Sequence, residues 1–294
     1  FNNLCNFKCR MCGDMLSSSW EAESRKHKTW DKESQPWMAS PLREQIKKFQ
    51  DTQVVKEFLD AIETKQIKEI YWCGGEPLMW DIHWNAMQRI IDLGFAKEVY
   101  IRYNTNLSRT EFKGIKLFDL LPQFQDWQVC ASIDGTDEVG EYIRDGLNYK
   151  QWLENFKEGL AVAKTSREMR LDYTITLPGL LELTNMFNLS VELDTQILTK
   201  VMFTFSNDEI LSPLALPREL MHTIIDEALE YIEPRATWKQ QSIIDVLKNL
   251  KTRPNFVPTQ KGKQRQERID KIRRQDITKI LAKDERVLEW WTNI

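Results

Sequence analysis

The chain is poor in cysteine: five among 294 residues, at Cys5, Cys9, Cys12, Cys73 and Cys130. So few, and an odd number, exclude a disulfide scaffold at this size. No run of about 18 apolar residues occurs, so nothing reads as a membrane span. Neither charge sign dominates: 41 Lys and Arg stand against 44 Asp and Glu, a net charge of −3. With a pI near 5.8, the chain has no general electrostatic reason to bind nucleic acid. Low-complexity segments and internal repeats are also missing. Apolar residues at 41% and charged residues at 29% exclude a disordered or collagen-like chain. What is present is a length that suits one large domain or two small ones with a sizeable core.

Short β-branched or apolar runs alternate with helical periodicity. Strands are expected over 68–73, 98–103, 127–133, 170–177 and 200–205, with 1–4 as the tail of another. Helices are expected over 54–64, 84–93, 149–164 and 218–232, the last started by Pro217. This β-α-β-α order, at spacings of roughly 30 residues, is the mark of parallel βαβ units. Five or six such units suit a barrel or partial barrel, whose function sits at the C-terminal ends of the strands. An open doubly wound sheet fits the periodicity nearly as well. Beyond Pro234 the chain turns helical and charged, and 261–274 (KGKQRQERIDKIRR) is basic. A solvated helix face accounts for such a run; a docking surface for an acidic partner is the sharper alternative. Leu288, Trp290 and Trp291 are expected to pack the last helix.

Three of the five cysteines fall within the first twelve residues, as Cys5-Asn6-Phe7-Lys8-Cys9-Arg10-Met11-Cys12. C-x3-C-x2-C brings three thiolates towards one centre from a single loop. A closed zinc site needs four ligands and a catalytic one typically includes His. The nearest is His27, far outside finger spacing. A [4Fe-4S] cluster held by three Cys keeps one iron open for another ligand. A zinc knuckle or a redox thiol group remains the alternative. A second motif, Cys73-Gly74-Gly75-Glu76-Pro77, closes an expected strand. Paired glycines there let backbone approach a ligand closely, and Pro77 stiffens the exit. Cys73 and Cys130 lie in expected strands and read as buried packing. His83 and His222 read as ordinary helix residues.

These motifs resemble those of the radical SAM superfamily, whose cluster motif is C-x3-C-x-aromatic-C; Met11 stands here where the aromatic is usual. The resemblance implies an α/β fold, a partial (βα)6 TIM-type barrel of parallel strands with a C-terminal helical extension. It divides the chain into a core domain over 1–232, expected to lack its N-terminal region, and helical additions over 233–294. It implies that Cys5, Cys9 and Cys12 ligate a [4Fe-4S] cluster. Gly74, Gly75, Glu76 and Pro77 would hold the amino group of S-adenosylmethionine (SAM). Asn104-Thr105-Asn106 resembles the TN segment of many relatives, and Ser132-Ile133-Asp134-Gly135 their S-x-D-G segment. Asn106, Ser132 and Arg144 are carried over as SAM-binding residues. For Arg144 the fork of guanidinium donors suits a carboxylate. For Asn106 and Asp134, local turn capping is an equal alternative.

The implied reaction is reductive cleavage of SAM followed by abstraction of a substrate hydrogen, with an electron donor such as flavodoxin or ferredoxin. The string from Asn3-Leu4-Cys5 to Gly13, followed by Ser17-Ser18-Ser19-Trp20, resembles the twitch/SPASM-related branch. Ser212-Pro213-Leu214 and Leu216-Pro217 fit it too. Members of that branch often modify peptides, which makes a peptide or protein the expected substrate. A sugar or small metabolite, or a non-catalytic zinc-binding scaffold, is the alternative. No Cys follows Cys130, so a C-terminal auxiliary cluster is not expected; in that branch such cysteines can lie before the core, and either they were truncated here or the protein lacks them. No signal peptide is recognisable, and a cytoplasmic enzyme is expected.

Overall fold

The computed structural model describes residues 2–30, 33, 35–39, 41–203 and 209–294. Five strands form one parallel sheet in chain order: β1 (Glu69–Trp72), β2 (Tyr100–Thr105), β3 (Asp126–Ser132), β4 (Met169–Ile175) and β5 (Gln196–Val201). Register is simple, with Trp72 opposite Tyr103, Tyr103 opposite Val129 and Ile175 opposite Val201. The fold is thus α/β with parallel strands and C-terminal helices, as a partial barrel of the TIM type requires.

β2 shows why these residues form strands. Ile101, Tyr103 and Thr105 alternate with half-exposed Tyr100, Arg102 and Asn104. Such β-branched and aromatic residues fit a half-buried pleated surface. The helix Asp81–Asp92 buries His83, Trp84, Met87 and Ile90 on one stripe. The helix expected over 218–232 is Arg218–Ile232, and Pro217 is its cap rather than its first residue.

Two expectations are corrected. Residues 2–4 form no strand. The carbonyls of Asn2 and Leu4 accept instead from the amides of Gly75 and Glu76, at 3.3 and 2.6 Å, outside any regular ladder. The last strand begins four residues before its expected start, at Gln196, because the polar residues Gln196, Thr199 and Lys200 interrupt the apolar run by which a strand is read; 204–205 lie outside the described residues.

The chain divides into two compact units, Phe1–Ala131 with Gln151–Met169, and Ser132–Lys150 with Arg170–Ile294. The first carries the cysteine loop, β1, β2 and nearly all of β3. The second carries β5, nearly all of β4 and the C-terminal helices, among them Gln241–Thr252, Gln260–Arg273 and Glu285–Asn293. In the basic helix Gln260–Arg273, Gly262, Gln266 and Asp270 are buried on a four-residue period, while Lys261, Arg265, Arg268 and Lys271 are exposed. Trp291 is buried, while Leu288 and Trp290 are half-buried. No helix among the described residues is long and apolar enough to cross a membrane.

Candidate active site

The cysteine loop is held by the start of the helix that follows it. Ser17 caps the helix Ser18–His27, its hydroxyl accepting from the Trp20 amide at 3.2 Å. The same hydroxyl donates to the carbonyl of buried Phe7 at 2.6 Å. Ser18 Oγ accepts from the Cys5 amide and donates to the Cys5 carbonyl, both at 3.1 Å. Ser19 Oγ donates to that carbonyl at 2.8 Å, and the Trp20 indole Nε1 donates to the Cys9 carbonyl at 2.7 Å. The Ser-Ser-Ser-Trp string is therefore a clamp on the main chain of the cysteine loop. As a sequence it reads only as a branch marker, because nothing in a linear string shows that four side chains turn back on carbonyls 10 to 14 residues earlier.

Cys5 and Cys12 are half-buried, Cys9 is buried, and none of the three is in a disulfide. Burial pushes the Cys5 thiol up from its ordinary value. A hydrogen bond from the Phe7 amide opposes this, and the negative charges of Glu76 and Cys12 add to it. Cys5 is therefore a protonated thiol until a positive centre arrives. Among the described residues, no three His, Cys, Asp or Glu side chains converge on a single-ion position. A mononuclear zinc site would require that convergence. A cluster makes a different demand, since each thiolate takes its own iron. Three thiols from one loop, with no His or carboxylate among them, are a soft donor set that fits iron–sulfur chemistry.

Beside this loop stands the corner after β1. Cys73, expected inside the strand, lies just past it and is exposed, which corrects its reading as packing; Cys130, inside β3, is buried. Gly74 has φ 117°, a conformation that favours glycine. At Gly75 a Cβ would lie 2.3 Å from the Leu4 carbonyl oxygen, so the close approach it permits includes the chain's own segment. Pro77 opens a single tight turn, Pro77–Met79. A cavity of about 470 Å3 runs along this edge, lined in part by Phe58, Trp72, Cys73, Gly74, Gly75 and Trp80.

Glu76 joins that corner to the next. It is buried, and its carboxylate accepts from the Leu78 amide at 3.1 Å, the Thr105 hydroxyl at 2.6 Å and the Asn106 amide at 2.6 Å. The expected TN segment is thereby fixed at the end of β2. Asn106 does cap a turn, its Oδ1 accepting from the Ser108 amide at 3.0 Å. Its Nδ2 faces the cysteine loop, 3.0 Å from Asn6 Oδ1 and 4.0 Å from Cys5 Sγ. The structure thus brings together Cys5, Glu76 and Asn106, residues distant in sequence.

Ser132 and Arg144 belong to the second unit. Ser132 ends β3 and is half-buried. Arg144 follows the helix Asp137–Ile143, with its Nε 2.6 Å from the Asp134 carboxylate. Asp134 is fully buried, and its Oδ1 accepts from the Thr174 amide at 2.8 Å. Burial raises its pKa, while Arg144 and the Thr174 amide act against that rise. The Asp of the S-x-D-G segment therefore braces this loop, as turn chemistry alone suggested, but through β4 and Arg144. His83 is buried, with Nε2 2.7 Å from the Tyr103 hydroxyl, and His222 Nε2 lies 3.1 Å from the Lys251 carbonyl.

No curated protein matches the chain. The family model described as the radical SAM superfamily matches residues 1–184.

Proposed function

We propose that this chain, which belongs to the radical SAM superfamily, modifies a peptide or protein substrate after abstracting a hydrogen from it. Membership makes it an iron–sulfur, SAM-dependent enzyme, and the alternative of a zinc-binding scaffold gives way. The observation that carries the site assignment is the meeting of Cys5, Glu76 and Asn106 at the ends of β1 and β2. Cys5, Cys9 and Cys12 hold the [4Fe-4S] cluster. When bound, the cluster and SAM supply a one-electron reductive cleavage that yields the hydrogen-abstracting species.

The chain's own residues do the rest. The Ser17–Trp20 clamp keeps the thiols in place, and the corner Gly74-Gly75-Glu76-Pro77 receives the SAM amine. Ser132 and Arg144 bind its polar groups, and Asn106 stands against the cluster loop. We read residues 1–232 as the catalytic core and 233–294 as a helical extension. We place the protein in the twitch/SPASM-related branch, on the string through Cys12-Gly13 and Ser17-Ser18-Ser19-Trp20. We further propose a cytoplasmic oxidoreductase reduced by a flavodoxin or ferredoxin. The peptide reading is supported by that string and by the charged helices of the extension, whose exposed Arg268 and Lys271 offer cations to a substrate.

Anaerobic reconstitution followed by incubation with dithionite and SAM tests the assignment through formation of 5′-deoxyadenosine. Mass spectrometry of a co-expressed short peptide encoded beside the gene tests the substrate. A mass change that needs the cysteines supports the peptide reading. An unmodified peptide, with turnover of a sugar or metabolite instead, refutes it.

A further inference from the structure

We propose that Asn106 is a positioning residue that tunes the reduction potential of the cluster through Cys5. The inference rests on the reading of Cys5 as a cluster ligand. Three bonds fix the orientation of Asn106. Its main-chain amide donates to Glu76 Oε2 at 2.6 Å. Its Oδ1 accepts from the Ser108 amide at 3.0 Å, which settles which end of the side chain is oxygen. One Nδ2 hydrogen serves Asn6 Oδ1, 3.0 Å away. Asn6 is itself held, its Nδ2 donating to Ser108 Oγ at 3.0 Å. The second Nδ2 hydrogen is directed to Cys5 Sγ, at 4.0 Å. Asn106 is 6% exposed, so water scarcely competes for that hydrogen.

The chemistry of the contact follows from charge. When a cluster accepts an electron from a one-electron donor, part of the added negative charge falls on the thiolate sulfurs. Hydrogen bonds to those sulfurs favour the reduced form and raise the potential. The effect is larger in a low-dielectric surrounding. Among the described residues, Cys5 Sγ has such donors in the Phe7 amide, 3.4 Å away, and Asn106 Nδ2, with the Ser17 side chain beside it as well. The Phe7 donor belongs to the loop backbone and is present in any chain that makes this turn. Ser17 also caps the helix Ser18–His27, so Asn106 is the side-chain donor whose replacement leaves that cap intact.

The test is a potentiometric titration of the anaerobically reconstituted full chain without SAM, followed by the electron paramagnetic resonance of the reduced cluster. In Asn106→Ala and Asn106→Ser the midpoint is expected to become more negative. The reduced fraction at the wild-type midpoint should fall several-fold, with iron and sulfide content retained. An unchanged midpoint at full iron content overturns the proposal. An unchanged midpoint with weakened SAM binding overturns it too and assigns Asn106 to SAM alone. If Asn106→Ala loses the cluster, Asn6→Ala provides the comparison, since it removes the anchor of the amide and keeps all three cysteines. Wild-type protein that assembles no cluster refutes the reading above as well as this inference. A wild-type cluster that cleaves SAM, with unshifted variants, refutes the inference alone.

Discussion

The indole Nε1 of Trp20 donates to the carbonyl oxygen of Cys9 at 2.7 Å, and Trp20 is itself 8% exposed. A helix side chain thus holds the main chain between two of the three cysteines. Trp20→Phe keeps an aromatic ring and removes the donor, leaving the Cys9 carbonyl to the Cys12 amide at 3.0 Å. The expected cost is about 0.5–1.5 kcal/mol of stability. Iron and sulfide per chain should also fall, because the loop loses an anchor. Thermal unfolding and metal analysis check both; full cluster content at wild-type stability contradicts the clamp.

Two glycines offer a contrast. A Cβ at Gly75 would stand 2.3 Å from the Leu4 carbonyl, whereas one at Gly13 would meet nothing within 4 Å. Gly75→Ala therefore has to displace the backbone of 2–4 or the GGEP corner, and SAM binding should weaken at least tenfold. Gly13→Ala should fold with wild-type stability. Calorimetric titration with S-adenosylhomocysteine, a non-reactive relative of SAM, measures the difference. Equal affinities for the two variants would show that the close approach is irrelevant.

How much of this was legible in the sequence depends on distance along the chain. The cysteine spacing and the GGEP corner are local, and the corner stands just after the strand expected before it. β2 and β3 were legible as short apolar or β-branched runs. Glu76 was expected as a SAM acceptor, yet its carboxylate reaches Thr105 and Asn106, about thirty residues on. Local spacing carries no information on such a partner. Cys73 was misplaced because an apolar run does not show where pairing stops. The fifth strand was read late because a polar strand face lacks the apolar signal.

The C-terminal helices are tied to the loop that carries Arg144. The Tyr142 hydroxyl donates to Asp270 at 3.1 Å, and the same carboxylate accepts from the Ile277 amide at 2.8 Å. Arg273, with only 1% of its side chain exposed, lies 3.4 Å from Asp145. Tyr142→Phe removes one hydrogen bond to a buried carboxylate and should cost about 1.5–3 kcal/mol. Chemical denaturation measures the loss. A change below a few tenths would mean that Asp270 is satisfied without Tyr142.

Acid should destabilise the fold in two stages. Burial holds neutral His83 down at about 3, from an ordinary 6.5. The unfolded chain takes up that proton first, so this contribution declines as the pH falls below 6.5. For Glu21, burial works upward, but hydrogen bonds from Arg43, Asn3 and Arg25 hold its carboxyl at about 2, against an ordinary 4.5. Its contribution is complete above 4.5 and is lost as the pH falls towards 2. After solvent screening, it is on the order of 1–2 kcal/mol. Glu21→Gln should flatten only the lower stage. Urea midpoints between pH 7 and 3 check this, and flattening of the upper stage by that variant contradicts the assignment.

The central claim is that Cys5, Cys9 and Cys12 hold the cluster that cleaves SAM. Its most direct test is 5′-deoxyadenosine formed from SAM and dithionite by the reconstituted wild-type chain, set against a variant with all three changed to Ala. The account predicts product and a brown, iron- and sulfide-containing protein for the wild type. It predicts neither for the variant, which should still fold. Product formed at the wild-type rate by the triple variant would contradict it.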